Sequence, residues 1–474
     1  MDDQKRLLLA VFISGACSLL VEIAGARLMA PYIGTTIYTW AAVIGFVLAS
    51  LSFGYYYGGI LADRYNDRKH LSLIMLCAGI STILLPFLGL LILPFTLVLD
   101  IAIASLVGAL VLVPASFFYG MVSPFAIKLI SKKGEEGKSS GEIFAVSTVG
   151  SLAGAIGTGF VLIPNMQISF IFILASFLML LSSWLAGGFG RKSVIDVLPF
   201  FAIALLIINI PLAPPIGGTV VFEGDSEYYH IRVIDREYNG KDARILFLDN
   251  AASSGETASG EPVFNYMSKV RLALEPAGNV SRALVVGSAA GTQMEELKRL
   301  FPQAMVDGVE IDPKTVEVGK EYFSLEEDER TTIIIDDGRR YMQRTDERYG
   351  IVLLDAFRGM SFPYHLATKE YFSLLKEKLS PDGLVVANVI SAVDGPDSYP
   401  LRYLHSSFSV VFDNVIVMPV GDDTRKLQNV VLIATDRDMT DFIDAHPDDI
   451  YKGEIEPLPP LTDELNPIEL YVRR

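Results

Sequence analysis

Cysteine is almost missing from this chain: Cys17 and Cys77 are the only two among 474 residues, and both fall within long apolar runs. Two thiols so placed build neither a disulfide framework nor a thiol-rich metal site, and they leave the redox compartment unread. Positive charge is also scarce, with 39 Lys and Arg against 55 Asp and Glu, a formal net charge of −16. The deficit is uneven: 12 against 10 up to residue 212, then 27 against 45 beyond it. A C-terminal part at −18 repels nucleic acid, which excludes that partner, and draws cationic small molecules. A cleavable secretory signal is not expected either, because the first apolar run is too long and others follow it.

Apolar length is what the first 212 residues have in abundance. Seven runs, about 6–29, 36–62, 71–93, 95–118, 142–163, 167–187 and 194–212, are long enough for a helix to cross a hydrocarbon layer of roughly 30 Å. They predict a multi-pass helical module in the cell membrane, with the lipid bilayer as partner. Lys5, Arg6, Arg64, Arg68, Lys69, Lys128, Lys132, Lys133, Lys138, Arg191 and Lys192 cluster in alternate loops, which places the N-terminus in the cytoplasm. Seven spans would put the rest of the chain outside. The candidate site residues of the C-terminal domain argue the opposite, and on that ground a cytoplasmic C-terminal domain is expected. Eight spans would reconcile the two if the stretch from Pro94 to Ile130, with Pro114 and Pro124, held two short spans rather than one.

Ionisable groups within spans cost about 2.5–3.5 kcal/mol each on insertion scales, so Glu22, Asp100 and Asp196 need a reason. Asp100 and Asp196 lie near span ends, which favours interface placement; Glu22 is the candidate for a polar pathway. Arg27, near a span end, is expected to snorkel. Gly58 to Lys69, GGILADRYNDRK, resembles the loop between helices two and three of major-facilitator transporters, although the spans are too few for a complete one. The small residues Gly150, Ser151, Ala153, Gly154, Ala155, Gly157, Thr158 and Gly159 read as close helix packing.

After a linker at 213–218, APPIGG, the pattern changes to alternation. Segments 219–223, 228–235 and 244–249 predict a small β layer, followed by a helix at 262–275. From residue 283 strands (283–287, 305–310, 331–335, 350–355, 384–389) alternate with helices (291–300, 313–322, 368–379), which predicts a doubly wound, mainly parallel sheet. The expected domains are 1–212, 219–280 and 281–474. The expected fold is therefore an all-α transmembrane bundle followed by an α/β Rossmann-like domain with a small β layer ahead of it.

Ligands in such sheets bind at the carboxyl ends of the strands. Gly287, Ala289 and Gly291 form a turn without side-chain bulk at one such end, where a ligand can press against backbone at a helix start. Glu310, about twenty residues on, is placed to accept both hydroxyls of a ribose. Asp336, Asp337 and Gly338 end the third strand, and Asp355 ends the fourth. Four strand ends converging on one crevice predict a nucleoside-cofactor site, whereas any one acid alone would read as a helix cap.

These pieces, with SEYYHIRV (226–233), RILFLDN (244–250), GVEIDP (308–313), IDDGRRYM (335–342), LLDAF (353–357) and TKEYFSLLKEKLSPDGLVV (368–386), resemble the spermidine synthase family of polyamine aminopropyltransferases, relatives of class I methyltransferases, over 219–435. With the spans included, the chain resembles the membrane-bound spermidine synthase-like branch. The resemblance implies decarboxylated S-adenosylmethionine as co-substrate and a small-molecule amine as acceptor. It places Glu310 at the ribose acid, Asp337 and Gly338 at the adenine pair, and Asp355 at the catalytic base. Tyr228 and Asp249 would close the site against water. No metal is expected, because a sulfonium is already an activated leaving group. Family habit further implies a homo-oligomer.

Departures mark the amine side. Where the family's glycine turn holds an aspartate for the aminopropyl ammonium stands Ala290, and where a second acid follows the catalytic aspartate stands Arg358. A guanidinium in place of that carboxylate would repel a diamine by on the order of 1–4 kcal/mol at 4 Å; a surface ion pair is the plain alternative for Arg358. Tyr229 and Ser253 replace substrate-touching glutamines, and Tyr364 and His365 are further candidate contacts. Two other functions use the same residues: an S-adenosylmethionine-dependent methyltransferase, and a non-catalytic membrane sensor or transport-coupled module.

Overall fold

The computed structural model describes residues 3–34, 36–131, 134–187, 213–214, 216–357 and 363–471. It divides into two compact units, Met1–Ile216 with Gly224–His230, and Gly217–Glu223 with Ile231–Arg474.

The first unit holds six helices long and apolar enough to cross a membrane: α1 Asp3–Ile33, α2 Ile37–Arg64, α3 Arg68–Thr96, α4 Ile101–Ile130, α5 Glu136–Asn165 and α6 Ile168–Ala186. At 19 to 31 residues each rises far enough to cover a bilayer core. They occupy six of the seven expected runs. The seventh, 194–212, with Asp196, lies outside the described residues. Pro114 and Pro124 do not split α4: the chain tightens into a 3-10 turn at Leu110–Leu112 and continues helical, so this stretch is one continuous helix and not two. Asp100 is the N-cap of α4, accepting from Ala102 N at 3.0 Å, which is the end placement its position suggested. Thr36 and Asp67 cap α2 and α3 in the same way. The loop of the transporter-like segment thus shrinks to Tyr65–Asp67, and its Asp63 pairs with Lys128 of α4 at 2.6 Å.

Small residues bring α1 and α5 together. A Cβ on Gly15 would stand 2.2 Å from the Ser147 carbonyl oxygen, and on Gly150 or Gly154 it would stand 2.1 Å from those of Phe12 and Ala16. Ser151 adds a hydrogen bond to Gly15 O at 3.1 Å. Gly157 and Gly159 face open space, so the packing stripe is shorter than the run of small residues. Glu22 is half-buried on α1. Arg27 donates to the carbonyls of Tyr228 at 2.7 Å and Ser226 at 2.5 Å, both in the short segment grouped with the helices.

Two sheets follow the helices in the chain. Strands β1 Thr219–Asp225, β2 His230–Tyr238, β3 Lys241–Leu248 and β4 Ala251–Glu256 form a four-stranded meander. The seven-stranded sheet is ordered β10-β11-β9-β8-β5-β6-β7, from β5 Arg282–Val286, β6 Met305–Glu310, β7 Thr331–Ile335, β8 Tyr349–Leu354, β9 Leu379–Ser391, β10 Asn414–Pro419 and β11 Gln428–Thr435. All pairs are parallel except β11, which is antiparallel to β9 and β10. Side chains alternate between two cores: Leu284, Val286, Val352 and Leu354 face one, Ala283, Val285, Ile351 and Leu353 the other. Helices cover both faces. Asp307, buried within β6, is paired with Arg282 at 2.8 Å and receives the Tyr349 hydroxyl at 2.9 Å.

The strand order reverses between β5 and β8, so their carboxyl ends open the crevice of a doubly wound sheet.

Candidate active site

The chain leaves β5 through Gly287 at φ +84°, where a Cβ would come 2.8 Å from the Asp355 carbonyl oxygen. Gly291, at φ +81°, is pressed by Leu325 and starts the helix Thr292–Leu300. Between them Ala289 also has positive φ, +46°, a conformation that disfavours a Cβ. The turn is tied to β6 by Gly287 N and Ser288 N donating to Val309 O at 2.9 and 3.2 Å.

Glu310, at the end of β6, is buried, and three backbone amides hold it. Ala289 N donates to Oε2 at 2.9 Å; Ile311 N and Asp312 N donate to Oε1 at 3.0 and 3.2 Å. This fixes the carboxylate against the glycine turn. Asp337 caps the helix Gly338–Arg344, accepting from Arg339 N and Arg340 N at 3.0 Å each, and its other oxygen meets His365 Nε2 at 2.7 Å. Burial alone would raise its carboxyl, but the His365 hydrogen bond and the amides outweigh it and hold it below the ordinary aspartate value. Gly338 leaves no room for a side chain, since a Cβ would stand 2.5 Å from Val286 Cγ1. His365 therefore lies beside the third strand's acid.

Asp355, just past β8, is gripped by three neutral donors. Tyr266 OH reaches Oδ2 at 2.8 Å, the Gln293 amide nitrogen reaches the same oxygen, and Asn388 Nδ2 reaches Oδ1 at 2.8 Å. Asn429 supports Asn388 in turn at 3.0 Å. Burial, the negative charge of Asp355 and the bond to it raise the Tyr266 phenol well above its ordinary value, so it stays a donor. Sequence reasoning missed these partners. Asn388 carried a signal, being the one polar side chain in the apolar run 384–390 of β9.

A small cleft adjoins the turn, lined among others by Ser254, Phe264, Tyr266, Met267, Ser288 and Gln293. The β layer reaches it through β4, a strand that the alternation did not reveal; Ser254 Oγ accepts from Ala290 N at 3.2 Å. Asp249 sits in the tight turn after β3 at φ +56°, its carbonyl accepting from Arg232 at 3.2 Å. Tyr228 belongs to the segment grouped with the first unit. Arg358 lies outside the described residues. The structure thus brings Gly287, Ala289, Gly291, Glu310, Asp337, Gly338 and Asp355 to four adjacent strand ends. Among the described residues no group of His, Cys, Asp or Glu is arranged to hold a metal ion.

A doubly wound α/β domain with a glycine turn and three acids at adjacent strand ends is the type of fold whose ligands bind in that crevice. Residues 265–393 match the spermine/spermidine synthase domain. The chain is 31% identical over 219 residues to a probable polyamine aminopropyl transferase of Bifidobacterium longum, covering 44% of this chain and 48% of that one. It is 35% identical over 113 residues to a polyamine aminopropyltransferase of Vibrio vulnificus, covering 23% and 38%. It is also 36% identical over 138 residues, 27% and 20%, to an eEF1A lysine and N-terminal methyltransferase homolog of Drosophila melanogaster. The chain therefore spans about half or less of the length of these relatives.

Proposed function

We propose that the protein is a membrane-anchored aminopropyltransferase that moves an aminopropyl group from decarboxylated S-adenosylmethionine to an amine. The observation that carries this reading is Asp355, oriented by Tyr266, Gln293 and Asn388 beside the glycine turn. The names of the two bacterial relatives support it. In the reaction the amine lone pair attacks the methylene carbon bound to the sulfonium. The new C–N bond forms as the C–S bond breaks, its electron pair returns to sulfur, and methylthioadenosine leaves. One amine proton passes to Asp355 directly or through a water. Glu310 would take the ribose hydroxyls, Asp337 with Gly338 the adenine, and Gly287, Ala289 and Gly291 the backbone face of the nucleoside. Tyr228, Asp249 and Arg358 complete the proposed substrate-closing set, and no metal takes part. The six apolar helices anchor the enzyme as a multi-pass membrane protein, with the catalytic domain in the cytoplasm.

Ala290 favours a second reading, a methyltransferase on S-adenosylmethionine, because no carboxylate at that position repels the carboxylate of that cofactor; the Drosophila relative is named for such an activity. Calorimetric titration of the detergent-purified protein with both forms and with methylthioadenosine separates the two. Aminopropyl transfer expects the decarboxylated form to bind more tightly and Glu310→Ala to weaken both forms and methylthioadenosine alike; preference for the carboxylated form would establish the second reading. Asp355→Asn is expected to slow turnover by about 10²–10⁴-fold with nucleoside affinity kept. Unchanged turnover would remove Asp355 from the mechanism.

A further inference from the structure

Asp337 uses its two oxygens unequally. Oδ1 takes the amides of Arg339 and Arg340 at 3.0 Å, which is the ordinary work of a helix cap. Oδ2 takes only His365 Nε2, at 2.7 Å. The carboxyl is held below the ordinary aspartate value, so near neutral pH it is ionised and can only accept; the proton between the two residues belongs to His365 Nε2. A carboxylate oxygen has two lone pairs, and one on Oδ2 is left over. The side chains of Asp337 and His365 are 29% and 34% exposed, so the pair is reachable from solvent.

His365 is held there from the far end of the chain. Arg339 turns its guanidinium back to the His365 carbonyl at 3.1 Å, and Asp463 grips the same guanidinium with both oxygens at 2.6 Å. Asp463 also takes the Thr368 hydroxyl at 2.8 Å, and Asn466 Nδ2 donates to the Tyr364 carbonyl at 2.8 Å. The C-terminal segment therefore straps the turn Tyr364–Leu366 against the helix Gly338–Arg344. The bonds close a ring: Asp337 caps the helix that carries Arg339, Arg339 holds the His365 backbone, and the His365 ring returns to Asp337. Capping needs only Oδ1. What the ring adds is a fixed second oxygen, for which the helix itself has no use.

We infer that His365 and Asp463 are positioning residues of a nucleobase site: the C-terminal segment sets His365 on Asp337 so that Oδ2 meets the amino group of a 6-aminopurine with its remaining lone pair. An oxygen so held accepts from an amino group and repels the carbonyl of a 6-oxopurine. The inference rests on the nucleoside reading of the site and holds for either form of the cofactor. Burial alone would raise the Asp337 carboxyl and the His365 bond opposes it, so loss of His365 moves it up. Once protonated, it can donate to a carbonyl and the discrimination disappears. The other ionisable groups around the pair are Arg339, Asp463, Asp336 and, on the helix Lys369–Lys378, Glu370 and Tyr371. They are the same in every His365 variant, so differences among those variants report the one bond.

The test titrates the full-length protein in detergent with methylthioadenosine and with its 6-oxo analogue, methylthioinosine. Wild type is expected to bind methylthioadenosine at least about tenfold more tightly near neutral pH. His365→Leu is expected to cut that preference about fivefold, whereas His365→Gln, whose amide nitrogen can stand in for Nε2, keeps it within about twofold. Asp463→Leu, remote from the base, is expected to cut it about threefold, and it carries the decision should His365→Leu show no thermal unfolding transition. As pH falls, the preference should vanish in His365→Leu at a higher pH than in wild type. A His365 that merely supported the fold would weaken both nucleosides alike. An unmoved preference in His365→Leu or Asp463→Leu, a His365→Gln as impaired as His365→Leu, the same pH dependence in both proteins, or equal binding of the two nucleosides by wild type would each overturn the inference. If wild type binds neither nucleoside, the nucleoside reading itself falls and this inference falls with it.

Discussion

Glycine does different work in the two units. In the helices Gly15, Gly150 and Gly154 have ordinary helical backbone, and what forbids a side chain there is a carbonyl oxygen of a neighbouring helix 2.1–2.2 Å from the missing Cβ. In the sheet domain Gly287 and Gly291 are bent to φ +84° and +81°, so their own backbone excludes a side chain before any neighbour does. The first demand is made by a partner and the second by local geometry. A substitution in the helices should therefore separate two elements, whereas one in the turn should strain a single loop and the site it carries.

The largest effect that tests this contrast is expected from Gly154→Leu. Its side chain must displace the backbone of α1 at Ala16, at a cost of about 3 kcal/mol or more. Thermal unfolding in detergent reads it, and an unmoved midpoint would deny the α1–α5 contact. Gly287→Ala is next, at on the order of 1–3 kcal/mol for a non-glycine residue held at a strained φ. Because its Cβ meets the Asp355 and Ala356 backbone, nucleoside affinity should fall with stability; a stable variant with intact binding would mean that the turn tolerates bulk. Asp337→Ala removes a helix cap, about 1 kcal/mol. The Asp337 carboxyl titrates below its unfolded value, so its stabilisation is complete above the ordinary aspartate range and lost as pH falls through the lowered value. Denaturant midpoints of wild type and Asp337→Ala should accordingly converge in acid, and a constant gap would assign the effect to something other than ionisation. The smallest change, Ala289→Gly, is expected to stabilise by up to about 1 kcal/mol by relieving the positive φ at the centre of the turn. A lowered midpoint would show that the methyl group's packing outweighs its strain.

That contrast also explains what could be read in advance. Gly287, Glu310, Asp337 and Asp355 stand out in the sequence because each follows an apolar run that ends abruptly, and β5, β6, β7 and β8 deliver them to neighbouring strand ends. The grip on Asp355 was not legible, since Tyr266, Gln293 and Asn388 come from three elements 89, 62 and 33 residues away. Strand β4 escaped notice because Ala251–Glu256, AASSGE, has small side chains and no apolar alternation. The helix Gly338–Arg344 has only seven residues, too few for a periodicity to emerge. In the long apolar helices the small-residue run was visible, but the sequence does not reveal that Gly150 and Gly154 meet a neighbour while Gly157 and Gly159 meet none.

The Asp307 cluster bears on how the parallel sheet finds its alignment. Arg282, Asp307 and Tyr349 stand on β5, β6 and β8, three strands adjacent in space but far apart in the chain. A slip of β6 by one residue would turn Asp307 to the opposite face of the sheet, away from its guanidinium and its hydroxyl and into an apolar core. A stranded buried carboxylate of that kind costs several kcal/mol. The three side chains thus act as a proofreading latch, penalising misaligned assemblies that the uniform apolar strands around them would otherwise tolerate.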